Sequence, residues 1–335
     1  LTTITPWPYR DLRALPKTHL HLHFEGSAPV TTMQRTSKKY GVPLPDTHSY
    51  RDFTEFCVQA AASMAMLREP DDFRLAVHDL LAMEYAFGVQ WLEMGLIPSL
   101  YGDRFGSYDD VIDLAIDAIA TAPLRPRGVG LMITVLRNQS VETGLAVTEV
   151  ACRRAGDGIV VSLGLADDEH LFPPGPFAEC FVRAKEAGLL RTPHAGELAG
   201  PDSVWATLES CAPNRLQHGV RSIEDPRLLE ELQRAQICLD VCPTSNVRLG
   251  VFPSIEEHPA HRLFEAGIPI SINADDTLLF ETDILHEYEV ARTKLGFSDD
   301  DLAQVARYAI RASGAPADVK RDVESEIDRW IGTAP

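Results

Sequence analysis

The alternation of short apolar runs with longer amphipathic stretches constrains this 335-residue chain more than any single residue does. Candidate strands fall at 18–24, 90–97, 129–136, 159–165, 191–194, 215–218, 237–241 and 268–273. Their length suits buried strands better than helices. Between the later ones lie stretches of helical length at 109–121, 140–155, 175–187, 201–211, 225–235 and 256–266. Pro201-Asp202-Ser203 and Glu224-Asp225-Pro226 set proline and acid where helices begin. Strands joined through helices need crossovers, and crossovers make a parallel sheet. No low-complexity linker, repeat or break in composition divides the chain. These features predict an α/β fold, a closed (β/α)8 TIM barrel formed by 1–335 as one domain. The segment 30–87 is too long for a single crossover and predicts extra helices inserted after the first strand as a cap. Its Phe53, Phe56, Met64 and Met66 are expected mainly to pack within that cap.

The polar residues obey the same plan. His21 and His23 end the first run, and Asp167 to Glu169 follow the fourth. His194 ends the fifth, His218 the sixth, and Asp275-Asp276 follows the eighth. Barrel enzymes assemble their sites at the C-terminal ends of several strands. In "PKTHLHLHFEGS", His19, His21 and His23 alternate, and a strand turns residues i, i+2 and i+4 to one face. Neighbouring imidazoles there can share one ion. In "TPHAGEL", two small residues let the backbone turn Glu197 towards the centre that His194 faces. The acids of "SINADDTLLF" repel each other unless a cation or a donor lies between them. Three imidazoles and a carboxylate suit Zn²⁺ and leave one position for water. With a His to take a proton and a carboxyl group to give one, the chemistry is metal-assisted hydrolysis.

The formal charge is -18, and only Lys17, Lys38, Lys39, Lys185, Lys294 and Lys320 supply lysine. Such an acidic surface repels phosphate backbones and anionic lipid, so neither nucleic acid nor membrane is an expected partner. No apolar run approaches the length of a membrane span, and "LTTITPWPYRDLRALPK" lacks the apolar stretch of a signal peptide. Six cysteines without a CxxC pair read as free thiols, mostly buried. A cytoplasmic location is expected, and a homo-oligomer is compatible with the sequence.

Six motifs, "LPKTHLHLHFEGS", "SLGLADDE", "TPHAGEL", "RLQHGV", "VCPTSNVRLG" and "SINADDTLLF", follow one another in the order of the adenosine deaminase family. The chain resembles that branch of the amidohydrolase superfamily over nearly its full length. The resemblance implies a (β/α)8 barrel with one Zn²⁺ per chain. It also implies hydrolysis of a purine 6-amino group to a 6-oxo group, with water as co-substrate and ammonia released. It makes His21 and His23 ligands, since they directly precede Phe24-Glu25-Gly26, and leaves His19 as a supporting neighbour. His194 and Asp275 would complete the set. Glu197 would protonate purine N1, His218 would orient and deprotonate the attacking water, and Asp276 would bond N7. The backbone N–H of Asp167 would face N3. Binuclear relatives bridge their metals through a carboxylated lysine after the fourth strand, and no lysine lies between Lys39 and Lys185. Glu25 stands where many adenosine deaminases carry Asp, as in the adenine deaminase branch, and Asp167 replaces a glycine. "CPTSNVRLGVFPSIEEHP" is closer to the nucleoside-type enzymes. The expected substrate is adenosine or a close nucleoside, with adenine and aminodeoxyfutalosine as alternatives. A catalytically silent purine-binding protein would be expected to lack a ligand or the proton donor, and none is missing.

Overall fold

The computed structural model describes residues 9–47 and 50–333. Eight strands form one sheet in chain order: β1 (Lys17–His23), β2 (Val89–Leu96), β3 (Gly128–Leu136), β4 (Val160–Ala166), β5 (Leu190–Ala195), β6 (Arg215–His218), β7 (Cys238–Val241) and β8 (Ile270–Ile272). Each pairs parallel with the next. The ring closes where the segment after β8 meets β1. The His23 N–H donates to Asp275 O (2.9 Å) and the Asp275 N–H to His21 O (3.1 Å). Asn273 Oδ1 accepts from the N–H groups of Leu20 and His21 (2.8 and 3.1 Å). The fold is the expected (β/α)8 barrel.

The helices are α1 (Val30–Tyr40), α2 (Phe53–Ala65), α3 (Pro70–Ala86), α4 (Tyr108–Thr121), α5 (Val141–Arg153), α6 (Ala178–Glu186), α7 (Pro201–Cys211), α8 (Pro226–Ala235), α9 (Pro243–Arg248), α10 (Ala260–Glu265), α11 (Ile284–Thr293), α12 (Asp299–Ala312) and α13 (Ala317–Gly332). Helix α3 buries Phe73, Ala76, Val77, Leu80 and Leu81, the spacing of one apolar face laid on the barrel wall. It is thus the ordinary helix between β1 and β2. Of the segment 30–87, only α1 and α2 are additional. The stretch 256–266 is also not one helix: a turn at Ile255–Glu257 and α10 are split at Pro259. Proline lacks an N–H and forces the preceding residue out of the helical region, so His258 is extended (φ -67°, ψ 130°).

Two features set the interior. At the floor, Arg215 at the start of β6 bonds Glu93 (2.7 Å) and Asp240 (2.9 Å), all fully buried. Removing one partner would strand an uncompensated charge, at a cost of about 3–5 kcal/mol. In β1, one extra residue lies between the pairs His19↔Leu92 and Leu22↔Met94. A bulge of this kind breaks strict alternation. His19 is therefore turned out of the row expected for it. Its Nδ1 meets Glu84 on α3 (2.9 Å), and its Nε2 accepts from the Ala274 N–H (3.1 Å), which braces the backbone beside Asp275. Among the described residues, no helix is long and apolar enough to cross a membrane. The six cysteines are free thiols; Cys57 and Cys152 are only partly buried.

Candidate active site

At the C-terminal ends of the strands, four ligand-type side chains converge. His21 Nε2 lies 3.1 Å from His23 Nε2, which lies 3.2 Å from His194 Nε2. Asp275 Oδ1 is 3.2 Å from the first and 3.4 Å from the second. Tetrahedral ligands at about 2.0–2.1 Å from one zinc ion stand roughly 3.3 Å apart, so these spacings fit. The electronics agree. His194 Nδ1–H donates to Leu165 O (3.0 Å), which leaves the Nε2 lone pair facing the centre. Burial, then the neighbouring imidazoles, hold His194 well below its ordinary pKa, and burial brings His23 down to about 4. Converging neutral lone pairs repel one another unless a cation gathers them. Cys242 also approaches His21, but on the Nδ1 side (3.4 Å), and burial keeps its thiol protonated.

The catalytic candidates ring this centre. His218 Nε2 is 3.4 Å from Glu197 Oε1 and 3.8 Å from Asp275 Oδ2. Burial, then the Asp275 charge, raise Glu197 well above the usual carboxylate range; the same two causes raise Asp276. Burial would raise Asp275 too, but the surrounding imidazoles outweigh it and hold that carboxyl low. Ser245 Oγ donates to Asp275 Oδ2 at 2.7 Å. Asp275 (φ 62°), His218 (φ 63°) and Asp167 (φ 91°) occupy the left-handed region. That conformation costs non-glycine residues about 1–2 kcal/mol each, and such strain concentrates at functional sites.

Several supports carried no sequence signal of their own. Glu169 accepts from the N–H groups of Gly196, Glu197 and Leu198 (2.7, 2.9 and 3.1 Å) and from Ser203 Oγ (2.5 Å). It thereby fixes the turn that aims Glu197, a turn that Gly196 enters at φ 69°. Arg137, buried, donates to His194 O (2.7 Å). Glu169, Ser245 and Asn246 lay inside recognised motifs but had no assigned role, and Arg137 lay outside them.

A cavity of about 270 Å³ opens above the cluster. Glu25 Oε1 accepts from the Ile97 N–H (2.9 Å) and the Tyr101 hydroxyl (3.2 Å). Its Oε2 is buried without a partner, and burial pushes the carboxyl up to about 7. Asp167 and Asn138 also line the cavity, bonded to each other at 2.7 Å. Phe53, Phe56 and Met64 of α2 form its roof, with Leu100, Leu136 and Leu249 along the walls. Phe56 also stacks on Phe280 (centroids 5.1 Å apart). The expectation was mainly packing within the cap: Phe53 and Phe56 pack there and line the cavity as well, and Met64 lines the cavity. Met66 joins the main core alone.

Residues 16–330 match the family model described as Adenosine deaminase. A Streptomyces virginiae protein named adenosine/adenine deaminase is 39% identical over 96% of this chain and 98% of its own length. An adenine deaminase of Sinorhizobium medicae is 33% identical over 89% of this chain and 94% of its own. The crystal structure of an adenine deaminase from Arthrobacter aurescens superimposes with a TM-score of 0.86 at 27% identity, covering 95% of this chain and 99% of that one. With a converging imidazole–carboxylate centre at the mouth of its barrel, the chain belongs to the adenosine deaminase family, the metal-dependent aminohydrolases of the amidohydrolase superfamily that act on aminated purines.

Proposed function

We propose that this protein hydrolyses the C6–amino bond of a 6-aminopurine and that free adenine, giving hypoxanthine and ammonia, is preferred to adenosine. His21, His23, His194 and Asp275 would hold one Zn²⁺, which when bound polarises a water so that it attacks near neutral pH. Glu197, kept protonated by burial, gives its proton to ring N1 and makes C6 electrophilic. His218 orients the attacking water beside Asp275; of the two protons that water loses, one ends on the departing amino group, which leaves as ammonia, and one restores Glu197. Asp276, also protonated, donates to N7. The backbone N–H of Asp167 faces N3.

The observation that carries the preference for the free base is Glu25, a cavity-lining carboxyl whose Oε2 is buried without a partner, set among the apolar side chains of Phe53, Phe56, Met64 and Leu249. One buried acceptor suits the single N9–H of adenine. A ribose would bring several hydroxyls against Phe53, Phe56, Met64 and Leu249, and each one left unpaired costs about 1–3 kcal/mol. Asn138 Nδ2 donates to Asp167 Oδ2 (2.7 Å), so that part of the lining is already engaged. The test is a side-by-side measurement of kcat/KM for adenine, adenosine, 2′-deoxyadenosine and aminodeoxyfutalosine. Adenine should lead by at least about tenfold, the equivalent of one lost hydroxyl contact. A lead for any nucleoside overturns the free-base reading, and no ammonia from any of the four overturns the deaminase reading.

A further inference from the structure

His218 is not held by its strand alone. Its Nδ1 lies 3.2 Å from Nδ2 of Asn246 on α9, a side chain with no solvent exposure. On its other side, Asn246 Oδ1 lies 3.0 Å from Nε2 of His258. His258 Nδ1 accepts from the Ala260 N–H (3.3 Å), and burial lowers His258 to about 3, so its ring is neutral.

These contacts have a direction. Because the Ala260 N–H points at His258 Nδ1, that nitrogen carries the lone pair and Nε2 carries the proton. Nε2–H must then donate to an oxygen, which makes the near atom of Asn246 Oδ1 rather than Nδ2. The opposite orientation of the amide would set its N–H₂ against the His258 N–H, or require a second N–H against that of Ala260. Asn246 Nδ2 is consequently a donor towards His218, and a donor can only meet an unprotonated Nδ1. The His218 proton therefore lies on Nε2, the nitrogen that faces Glu197 and Asp275.

We propose that His258 and Asn246 are positioning residues of the reaction, a hydrogen-bond chain running from the Ala260 N–H that fixes His218 as the Nε2–H tautomer. In that form His218 is an orienting donor towards the attacking water and does not take its proton at rest. This inference rests on the deaminase reading for its catalytic meaning, but the tautomer itself does not. It uses residues of the "CPTSNVRLGVFPSIEEHP" stretch that no other part of the mechanism employs.

Two measurements test it. In the metal-loaded wild-type protein with ¹⁵N-labelled histidine, long-range ¹⁵N–¹H correlation reads the tautomer directly, with the signal assigned by loss in His218→Gln. An unprotonated Nδ1 and a protonated Nε2 are expected; a protonated Nδ1 overturns the proposal whatever the substrate proves to be. The second is a pair of variants. His258→Gln can still present an N–H to Asn246, whereas His258→Phe cannot. His258→Phe should lower kcat by about 10–100-fold with KM and zinc content near wild type, the range usual for groups that orient a catalytic residue. His258→Gln should recover most of that loss. Equal losses in both variants, an unchanged kcat in His258→Phe, or a loss expressed only in KM or metal content would each overturn it. Should His258→Phe fail to fold, the resonance measurement alone decides.

Discussion

At the scale of single residues, the site depends on atoms with no room to be elsewhere. In the proposed reaction Glu197 acts as a carboxyl that carries a proton into the cluster, so Glu197→Gln keeps the shape and removes the acid. We expect kcat to fall by about 10³-fold with metal content unchanged by elemental analysis, a loss within the range for a general acid. Near-normal turnover would remove Glu197 from its role. Gly26 presents the opposite case, a residue whose value is its missing side chain. A Cβ built there would lie 1.8 Å from Asp276 Oδ1, closer than any non-bonded contact allows. Gly26→Ala must therefore push Asp276 out of place, and a shift of about 1 Å at such a group costs roughly 10²-fold in rate. Steady-state kinetics on adenine should show that drop in kcat/KM. A Gly26→Ala enzyme as fast as wild type would mean that Asp276 plays no part in orienting the ring.

At the scale of elements, helix α2 connects the cap to the chemistry. Asp52 caps it by accepting from the Glu55 N–H (2.9 Å), and Phe56 lies between Tyr50, Phe53 and Phe280 while facing the cavity. Phe56→Ala should raise KM for adenine on the order of tenfold, since one aromatic face over a bound ring contributes about 0.5–1.5 kcal/mol beyond its buried area. Little should change in kcat; a loss confined to kcat would contradict a roof that only binds. The sequence revealed the elements unevenly, for physical reasons. Strand β3 was the most legible, because a parallel strand buried on both faces is a short, unbroken apolar run, "GVGLMITVL", whereas Glu93, Arg215 and Asp240 of the buried ion-pair group interrupt β2, β6 and β7. The candidate ligands were legible because they end or closely follow strands. The bulge in β1 was not, since an inserted residue leaves the composition of the strand unchanged and only its register against β2 reveals it. The cavity-lining part of the α2 aromatic residues was hard to see because amphipathic spacing cannot distinguish a core face from a cavity face. Glu169 and Arg137 were invisible as supports because their bonds go mostly to backbone atoms of β5 and the turn after it, distant in sequence, which no local pattern encodes.

At the scale of the whole molecule, the candidate metal centre sits on the seam of the barrel. β1 and the segment after β8 come from opposite ends of the sequence, and the bonds between them join His21 and His23 directly to Asp275. An ion held by His21, His23 and Asp275 would therefore also clasp the two edges of the sheet. Without it, three imidazole nitrogens and a carboxylate face one another across about 3 Å, as read from the contacts of 3.1–3.4 Å. Ligand binding stabilises the folded state by RT ln(1 + [L]/Kd), about 4 kcal/mol when the ion is present at a thousand times its Kd. For a protein of this size that corresponds to roughly 5–10 °C in Tm. Removing the metal with a chelator should lower Tm by that amount, and stoichiometric Zn²⁺ should restore it where Mg²⁺ does not, since nitrogen ligands select the softer ion. His21→Ala should melt near the chelated wild type and no longer respond to chelator, because the clasp is already broken. A wild-type Tm indifferent to chelation, with metal loss verified by elemental analysis, would mean that the seam holds through its backbone bonds and Asn273 alone. The catalytic ion would then be a guest of the barrel and no part of its closure.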